Sequence, residues 1–174
     1  MSKRIGFSPN NYGTAGGIYN SSKREYGLGQ KYDYLDVAGN ICTARYVQFV
    51  DAIAYAQGNI CFWSDDYVSA TATPLYKVTV DYSEALGDVL MPVGVVYGAQ
   101  TANYYGFVQI KGPGYILHNN DNDGAIGSEL IATAADNGVA NVGTRTPMTG
   151  VGYGLIAVVA STDLQWAYVS IDNN

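Results

Sequence analysis

Histidine, cysteine and charged residues are scarce in this sequence, which has one histidine, two cysteines and 14% charged residues. Metal motifs built on two histidines are therefore excluded, and a serine or cysteine nucleophile would depend on His118 as its base. His118 stands between Leu117 and two asparagines, where a strand is expected to end in a loop. A single histidine in such a place carries no triad pattern, so the residues favour a protein that is not an enzyme.

The two cysteines, Cys42 and Cys61, are too few for a disulfide framework. Their separation of 19 positions matches no zinc-ligand pattern. Both lie in apolar runs typical of strands, so two buried free thiols are predicted. A disulfide between neighbouring strands is the alternative.

Long apolar runs and targeting signals are absent as well. The longest apolar run, Leu155 to Ala160, is far shorter than the roughly 20 residues that cross a bilayer. The chain begins with basic residues but continues into asparagine and glycine without the apolar stretch of a secretory signal. We therefore expect a soluble protein, made in the cytoplasm, with no membrane partner.

Motifs for nucleotides and metals are also missing, because no glycine-rich phosphate-binding loop is present. The best ligand-like stretch is residues 119–124, where oxygen side chains at 119, 121 and 123 precede a glycine as in a calcium loop. A calcium loop requires a glutamate at its twelfth position. Leu130 stands at that position, and Glu129 is one residue early. An ordinary turn is the preferred interpretation, and no metal or cofactor is predicted.

Tyrosine and glycine are abundant, with 16 and 21 residues respectively. Aromatic residues suit the pleated surface of a sheet, and glycine permits the positive φ of tight turns. Many short strands are therefore expected. Tyrosine also suits an interface that is partly apolar and partly wet, which is the alternative reason for its abundance.

Charge is distributed unevenly along the chain. Residues 1–31 carry five basic residues and one acidic residue, a net +4, whereas the remainder carries four basic and 14 acidic residues, a net −10. The first 35 residues are rich in glycine, asparagine and tyrosine without a hydrophobic period. They predict an extended basic N-terminal arm, residues 1–35, followed by a single β domain, residues 36–174.

The basic arm suggests docking onto a negatively charged partner through Lys3, Arg4, Lys23, Arg24 and Lys31. An acidic protein surface is favoured over nucleic acid, because so few charges make a thin phosphate-binding patch and the acidic body would repel DNA. An ordinary solvated terminus is the alternative to a docking element.

From Tyr76 onward the pattern is mostly that of strands and turns. A strand is predicted at residues 77–82, and hairpins are predicted at residues 93–111, 129–142 and 151–171, the last turning near residues 161–163. Asn137 and Gly138, at the centre of the second hairpin, tolerate the positive φ of a type I′ turn. Consecutive hairpins predict an all-β fold, either an antiparallel β-sandwich or a small β-barrel.

One segment suggests a short helix. Tyr46, Phe49, Val50 and Ile53 are spaced as on one helix face, and Gly58 follows where a helix could end. This spacing predicts a helix over residues 47–56, although β-branched and aromatic residues there favour a strand.

Residues 92–112, PVGVVYGAQTANYYGFVQIKG, resemble a hairpin segment of tailed-phage capsid decoration (cement) proteins. Residues 78–83 resemble the strand that precedes it in those proteins, and residues 152–171 are similar to their last hairpin. The resemblance covers roughly residues 40–172, and the N-terminal arm departs from it. It implies a small β domain, often trimeric, that is added to a preassembled capsid.

The main functional prediction is therefore a structural virion protein that binds the major capsid protein on the capsid exterior, as a homotrimer, and stabilises the shell. No catalytic residue, cofactor or nucleic acid is part of this prediction. The first alternative is a head-fibre or glycan-binding β-sandwich adhesion module, suggested by the tyrosines and the asparagine-rich loop. The second is a small hydrolase that uses His118.

Overall fold

The computed structural model describes residues 3–4, 19–50, 55–65, 75–85, 91–118, 125–133, 138–143, 150–155 and 163–171. Within these ranges the chain forms twelve strands that belong to one mixed sheet. They are β1 (Lys3–Arg4), β2 (Asn20–Ser21), β3 (Lys31–Leu35), β4 (Ile41–Phe49), β5 (Ile60–Trp63), β6 (Lys77–Thr79), β7 (Pro92–Val96), β8 (Tyr105–His118), β9 (Glu129–Ala132), β10 (Ala140–Val142), β11 (Gly150–Gly154) and β12 (Asp163–Ser170). No helix in the described ranges is long and apolar enough to cross a membrane.

The 14-residue strand β8 joins two closed circuits of paired strands. In the first circuit, β8 pairs with β4 and β7, and the circuit is completed by β6 and β5. In the second, β8 pairs with β10 and β12, and the circuit is completed by β9 and β11. The predicted all-β, sandwich- or barrel-like fold is confirmed. The sheet is mixed rather than purely antiparallel, because β1–β3, β4–β6 and β8–β10 are parallel pairs.

Two apolar cores accompany these circuits, and the second also includes Ile60, Phe62 and Val95 from strands of the first circuit. The first core contains Val47, Phe49, Cys61, Val78, Val93, Val96 and Val108. The second contains Ile116, Leu130, Ala132, Ala140, Val151, Ala167 and Val169. Burial of each large apolar side chain stabilises the fold by roughly 1.5–3 kcal/mol. Val108 and Ile116 lie on the same strand, so β8 supports both cores.

A third cluster, rich in tyrosine, lies on the opposite side of β4 from the first core. It includes Tyr46, Phe107 and the buried Tyr19, with Tyr26 and Leu28 packed against it. The ring centroids of Tyr19 and Phe107 are 5.2 Å apart in an edge-to-face arrangement, which is favourable for aromatic pairs. The structure therefore packs the chain from Tyr19 onward against the sheet.

This packing differs from the predicted arm of residues 1–35. Within that span, β2 pairs with β8 and β3 pairs with β4 along its whole length. The composition concealed these contacts, because isolated tyrosines in an irregular segment bury their rings without producing a hydrophobic period. The described residues 19–35 are consequently part of the β domain.

The helix predicted over residues 47–56 is wrong where the structure describes its start, because residues 47–49 belong to β4. Tyr46 points into the tyrosine-rich cluster and Val47 into the first core, so both faces of the strand are buried. A strand covered on both sides lacks the alternation of a half-buried strand and can resemble a helix in spacing. Residues 51–54 lie outside the described ranges.

The three predicted hairpins are present as β7–β8, β9–β10 and β11–β12. Gly138 has a positive φ of 67°, but Ala132 pairs with Ala140, so the connection between β9 and β10 is longer than the predicted two-residue turn. Asn137 and residues 156–162 are not among the described residues. The strand predicted at residues 77–82 is shorter than expected. It ends at Thr79 because Asp81 caps a 3₁₀ turn by accepting a hydrogen bond from the main-chain N–H of Ser83.

Candidate functional site

An exposed face rich in aromatic residues lies on the outer side of β8, β11 and β12. On β12, Gln165, Ala167 and Val169 are buried, and the residues between them point outward because side chains alternate along a strand. The face consists of Tyr115, Tyr153, Leu155, Leu164, Trp166 and Tyr168, and we call it the aromatic face.

Pairing across the strands holds these side chains side by side. Tyr153 of β11 is directly opposite Tyr168 of β12, and Tyr115 of β8 is directly opposite Trp166 of β12. Because β12 is hydrogen-bonded on both sides, the face presents side chains rather than an open backbone edge. A partner would therefore contact it through side-chain packing rather than by adding a strand.

A cavity of about 200 Å³ opens where the aromatic face meets the β3–β4 hairpin. We call it the tyrosine pocket. Its buried wall includes Tyr34, Tyr97 and Gln109, and its more exposed rim includes Asp36, Gln57, Tyr115 and Trp166. The rings of Tyr115 and Trp166 have centroids 4.9 Å apart and an interplanar angle of 64°, so they form a corner at the rim.

The buried wall of the tyrosine pocket contains a pair of hydrogen-bonded phenols. The hydroxyl groups of Tyr34 and Tyr97 bond to each other, and both side chains are almost fully buried. Burial raises the pKa of both phenols above its ordinary value, so they stay neutral. The Cys42 thiol lies next to Tyr34, and burial raises its pKa too. This wall is uncharged at neutral pH.

Gln109 forms the polar part of the same wall. Its Nε2 donates hydrogen bonds to the carbonyl oxygens of Pro113, at 2.8 Å, and Gly112, at 3.0 Å. Its Oε1 lies 2.3 Å from the position that a Cβ would occupy on Gly114. Glycine at 114 is therefore required for the amide to lie in this position. The amide plane is held between main-chain groups and is preorganised.

Asp36 shapes the turn at the other side of the opening. Its Oδ1 accepts hydrogen bonds from the main-chain N–H groups of Ala38 and Asn40, and its Oδ2 accepts one from the Asn40 side chain. A carboxylate offers about four acceptor positions. Three are thus used inside the turn. Val37, at the tip of this hairpin, is 86% exposed.

The five basic residues predicted to dock onto a partner occupy two places. Lys3 and Arg4 form β1, which pairs in parallel with β3, the strand that begins at Lys31. Lys23 and Arg24 are exposed in the segment between β2 and β3. The structure therefore brings the main chain of Lys3, Arg4 and Lys31 close together. Docking by these residues stays a prediction.

The other sequence candidates are buried or fall outside the described residues. His118 is 2% exposed at the end of β8, where a strand end was expected. Cys42 and Cys61 are buried free thiols in different clusters, as predicted. Residues 119–124, the calcium-like stretch, lie outside the described ranges. Within those ranges, no group of three or more histidine, cysteine, aspartate or glutamate side chains is placed to hold a metal ion.

Solved structures that are similar to this chain include a phage head-fibre protein. The crystal structure of the head fiber gp8.5 N base in bacteriophage phi29 is similar over 76% of this chain and 98% of that chain, with 12% sequence identity and a TM-score of 0.49. No protein-family model matches the chain, and no curated protein matches it.

The tyrosine pocket was not predicted from the sequence. Tyr34, Tyr97 and Trp166 come from distant parts of the chain. They meet only because β3 pairs with β4, and β4, β7 and β12 all pair with β8. One local signal was available, since residues 164, 166 and 168 alternate with buried positions on β12. That alternation could have revealed the aromatic face, although not the pocket beside it.

Proposed function

We propose that this chain is a structural protein of a tailed-phage virion that binds the outer surface of the capsid and stabilises the shell. Its proposed partner is the major capsid protein, and the observation that carries the proposal is the aromatic face. The resemblance of residues 92–112 to decoration proteins supports the same role. That segment includes β7 and the first part of β8, the strand that contributes Tyr115 to the aromatic face.

The composition of the aromatic face suits a protein contact. Tyr153, Leu155, Leu164 and Tyr168 are each between 36% and 39% exposed, although they are large and apolar. Contiguous apolar patches on a soluble domain mark interaction sites, and aromatic residues are enriched at interface cores. Tyrosine contributes area at low conformational cost, and its hydroxyl can remain hydrated at the rim.

Binding of this kind stabilises a shell by mass action. A subunit that contacts neighbouring capsid proteins binds the assembled lattice and not the dissociated subunits, so its binding free energy favours assembly. No bond is made or broken in this role, and we assign no catalytic step, cofactor, nucleic acid or membrane to it. We propose a homotrimer as the bound form, as the resemblance implies.

The basic residues are a second element of the proposed contact. Lys23 and Arg24 are exposed, and they could pair with acidic groups of the capsid. Deletion of residues 1–31 is an unsuitable test, because it would also remove Tyr19 and Tyr26 from the tyrosine-rich cluster. Charge reversal by Lys23→Glu and Arg24→Glu tests the idea while keeping the core.

The decisive experiment measures binding of the purified protein to capsids that lack it. The double variant Tyr153→Ser, Tyr168→Ser is compared with Ile41→Ser, because Ile41 is 66% exposed and lies on β4, outside the aromatic face. We expect the double variant to lose occupancy and the Ile41 variant to keep it. Equal occupancy of the two variants would show that this face is not the contact.

A head fibre or glycan-binding adhesion module is the alternative. An electron-microscopy map of the particle distinguishes the two, since a decoration protein follows the capsid lattice whereas fibres project from a limited set of positions. Rupture of bare capsids at a lower temperature than occupied capsids is the expected outcome for the stabilising role.

A further inference from the structure

We propose that the tyrosine pocket is a binding site for a neutral saccharide ring. This site shares Tyr115 and Trp166 with the aromatic face, but sugar binding there does not depend on the capsid contact. The proposal rests on the ring geometry at the rim, the polar groups that surround the opening, the absence of basic residues from the lining, and the volume of the cavity.

The rim offers one flat apolar surface and a second ring at an angle to it. The 64° angle between Tyr115 and Trp166 leaves a corner in which a ligand can contact one ring by its face and the other by its edge. Tyr115 is 42% exposed, so its ring is accessible from solvent. A pyranose has an apolar face of C–H groups that packs on an aromatic ring, and its equatorial hydroxyls point sideways.

The rim also carries polar groups to which sugar hydroxyls can bond. Within the described residues, the Trp166 indole N–H and the Tyr115 hydroxyl make no hydrogen bond, so each can bond to a ligand. The exposed Gln57 offers both a donor and an acceptor on the facing turn. Asp36 has about one acceptor position beyond the three used in its own turn.

Charge excludes the main competing ligands. Among the described lining residues, Asp36 is the acidic one, and none is a lysine or an arginine. A phosphate or a sugar acid would be repelled by this carboxylate and would find no cation to pair with. A nucleotide could stack on the rings, but its phosphates would face the acidic body of the protein.

Size and rigidity favour a single ring. The cavity of about 200 Å³ is smaller than the roughly 300–1,000 Å³ of clefts that enclose drug-sized ligands. The Tyr34–Tyr97 hydroxyl bond and the two short Gln109 hydrogen bonds fix the buried wall. A preformed wall lowers the entropy lost on binding. Because the cavity is small, it suits one sugar ring better than an extended proline-rich peptide.

Titration of the intact protein with simple probes tests the proposal. The probes are methyl glucoside, methyl galactoside and N-acetylglucosamine, with sialic acid, glucuronic acid and an oligoproline peptide as competing classes. Tryptophan fluorescence is a direct readout, because the chain has two tryptophans and one of them, Trp166, lines the pocket. We expect saturable binding of at least one neutral sugar and none of the acidic sugars.

Three variants locate the site. Trp166→Ala and Tyr115→Ala should each raise the dissociation constant about tenfold or more. Both are measured by calorimetry, because Trp166→Ala removes the fluorescent reporter. Tyr168→Ala is the matched control, since Tyr168 lies two positions along the same strand on the same face and is outside the pocket. Its sugar affinity should be unchanged. Thermal unfolding of each variant verifies that the fold is retained.

Several results would overturn the proposal. These are no saturable binding of any neutral sugar, equal loss in Tyr168→Ala and Tyr115→Ala, or preferential binding of an acidic sugar or the oligoproline peptide. The capsid proposal fails separately. It requires loss of capsid occupancy in the Tyr153 and Tyr168 double variant, whereas the sugar proposal requires loss of sugar affinity in Tyr115→Ala with sugar affinity retained in Tyr168→Ala.

Discussion

The hydroxyl groups of Tyr34 and Tyr97 hydrogen-bond to each other across 63 positions of the sequence. Tyr34 belongs to β3, and Tyr97 directly follows β7. The bond therefore connects β3 to the segment of chain that follows β7. The ring centroids are 6.0 Å apart in an edge-to-face arrangement. This contact closes the inner end of the tyrosine pocket and connects parts of the fold that no local turn connects.

Alkaline pH should destabilise the protein through this pair. Burial raises the pKa of Tyr34 and Tyr97 above the value of about 10 that applies in the unfolded chain. Above that pH the unfolded state has lost protons that the folded state retains, so the free energy of unfolding falls as pH rises. Below it, the contribution of these two groups is fully present. Urea unfolding at a series of pH values measures the slope.

The variant Tyr97→Phe should reduce this alkaline slope. At pH 7 it should cost about 1–3 kcal/mol, because the buried Tyr34 hydroxyl loses its phenol partner. Tyr168→Phe, which alters a tyrosine that is 36% exposed, is the control and should change neither quantity. Identical slopes for Tyr97→Phe and the unmodified protein would contradict the assignment of the pH effect to this pair.

Two glycines with nearly the same φ should respond differently to substitution. Gly58 has a φ of 84° and Gly39 a φ of 82°, so alanine is strained at both. A Cβ on Gly58 would lie 2.5 Å from the main-chain nitrogen of Leu117, whereas a Cβ on Gly39 would have nothing within 4 Å. We expect Gly58→Ala to destabilise by roughly 3 kcal/mol or more and Gly39→Ala by roughly 1–2 kcal/mol. Denaturant midpoints give the comparison, and equal losses would rule out the steric contribution at Gly58.

Tyr19→Ala should lower the free energy of unfolding, although residue 19 lies within the predicted arm. Tyr19 is 1% exposed, and its ring contacts Tyr26, Tyr46 and Phe107. Loss of a buried aromatic ring costs roughly 3–5 kcal/mol. Lys23→Ala, at a nearby exposed position, should change stability by less than about 0.5 kcal/mol. If Tyr19→Ala were as neutral as Lys23→Ala, the segment would be an arm outside the domain.

Both thiols should be unreactive in the native protein. Cys42 and Cys61 are each 0% exposed, and burial raises the pKa of Cys42, which lowers the fraction of the reactive thiolate. An aromatic disulfide reagent should therefore label neither cysteine until denaturant is added, when both react. The variant Val37→Cys is the positive control, because Val37 is 86% exposed. Rapid labelling of native Cys42 would contradict the burial of the tyrosine-rich cluster.

The sequence was most informative where structure is local. The β7–β8, β9–β10 and β11–β12 hairpins were predicted from strand-like runs separated by turn residues. Such features depend on neighbouring residues, so a short window contains the information. The free, buried state of Cys42 and Cys61 was predictable for the same reason.

Prediction failed where a strand is buried on both faces and where packing joins distant segments of the chain. The helix expected from residue 47 is a strand because Tyr46 and Val47 enter different clusters. Composition alone could not show that Tyr19 and Tyr26 bury their rings, since those rings are buried by Tyr46 and Phe107, which belong to later strands.

By itself, the sequence determined an all-β chain with hairpins, few ionisable groups and an abundance of tyrosine. Only the tertiary structure decided which tyrosines are buried, which form the aromatic face and which line the tyrosine pocket. The physical reason is that β8 pairs with strands from both sides of it in the chain, from β2 to β12. Each such pairing requires the entropic cost of closing a long loop and is stabilised by packing between distant residues. Neither contribution can be read from a short stretch of sequence.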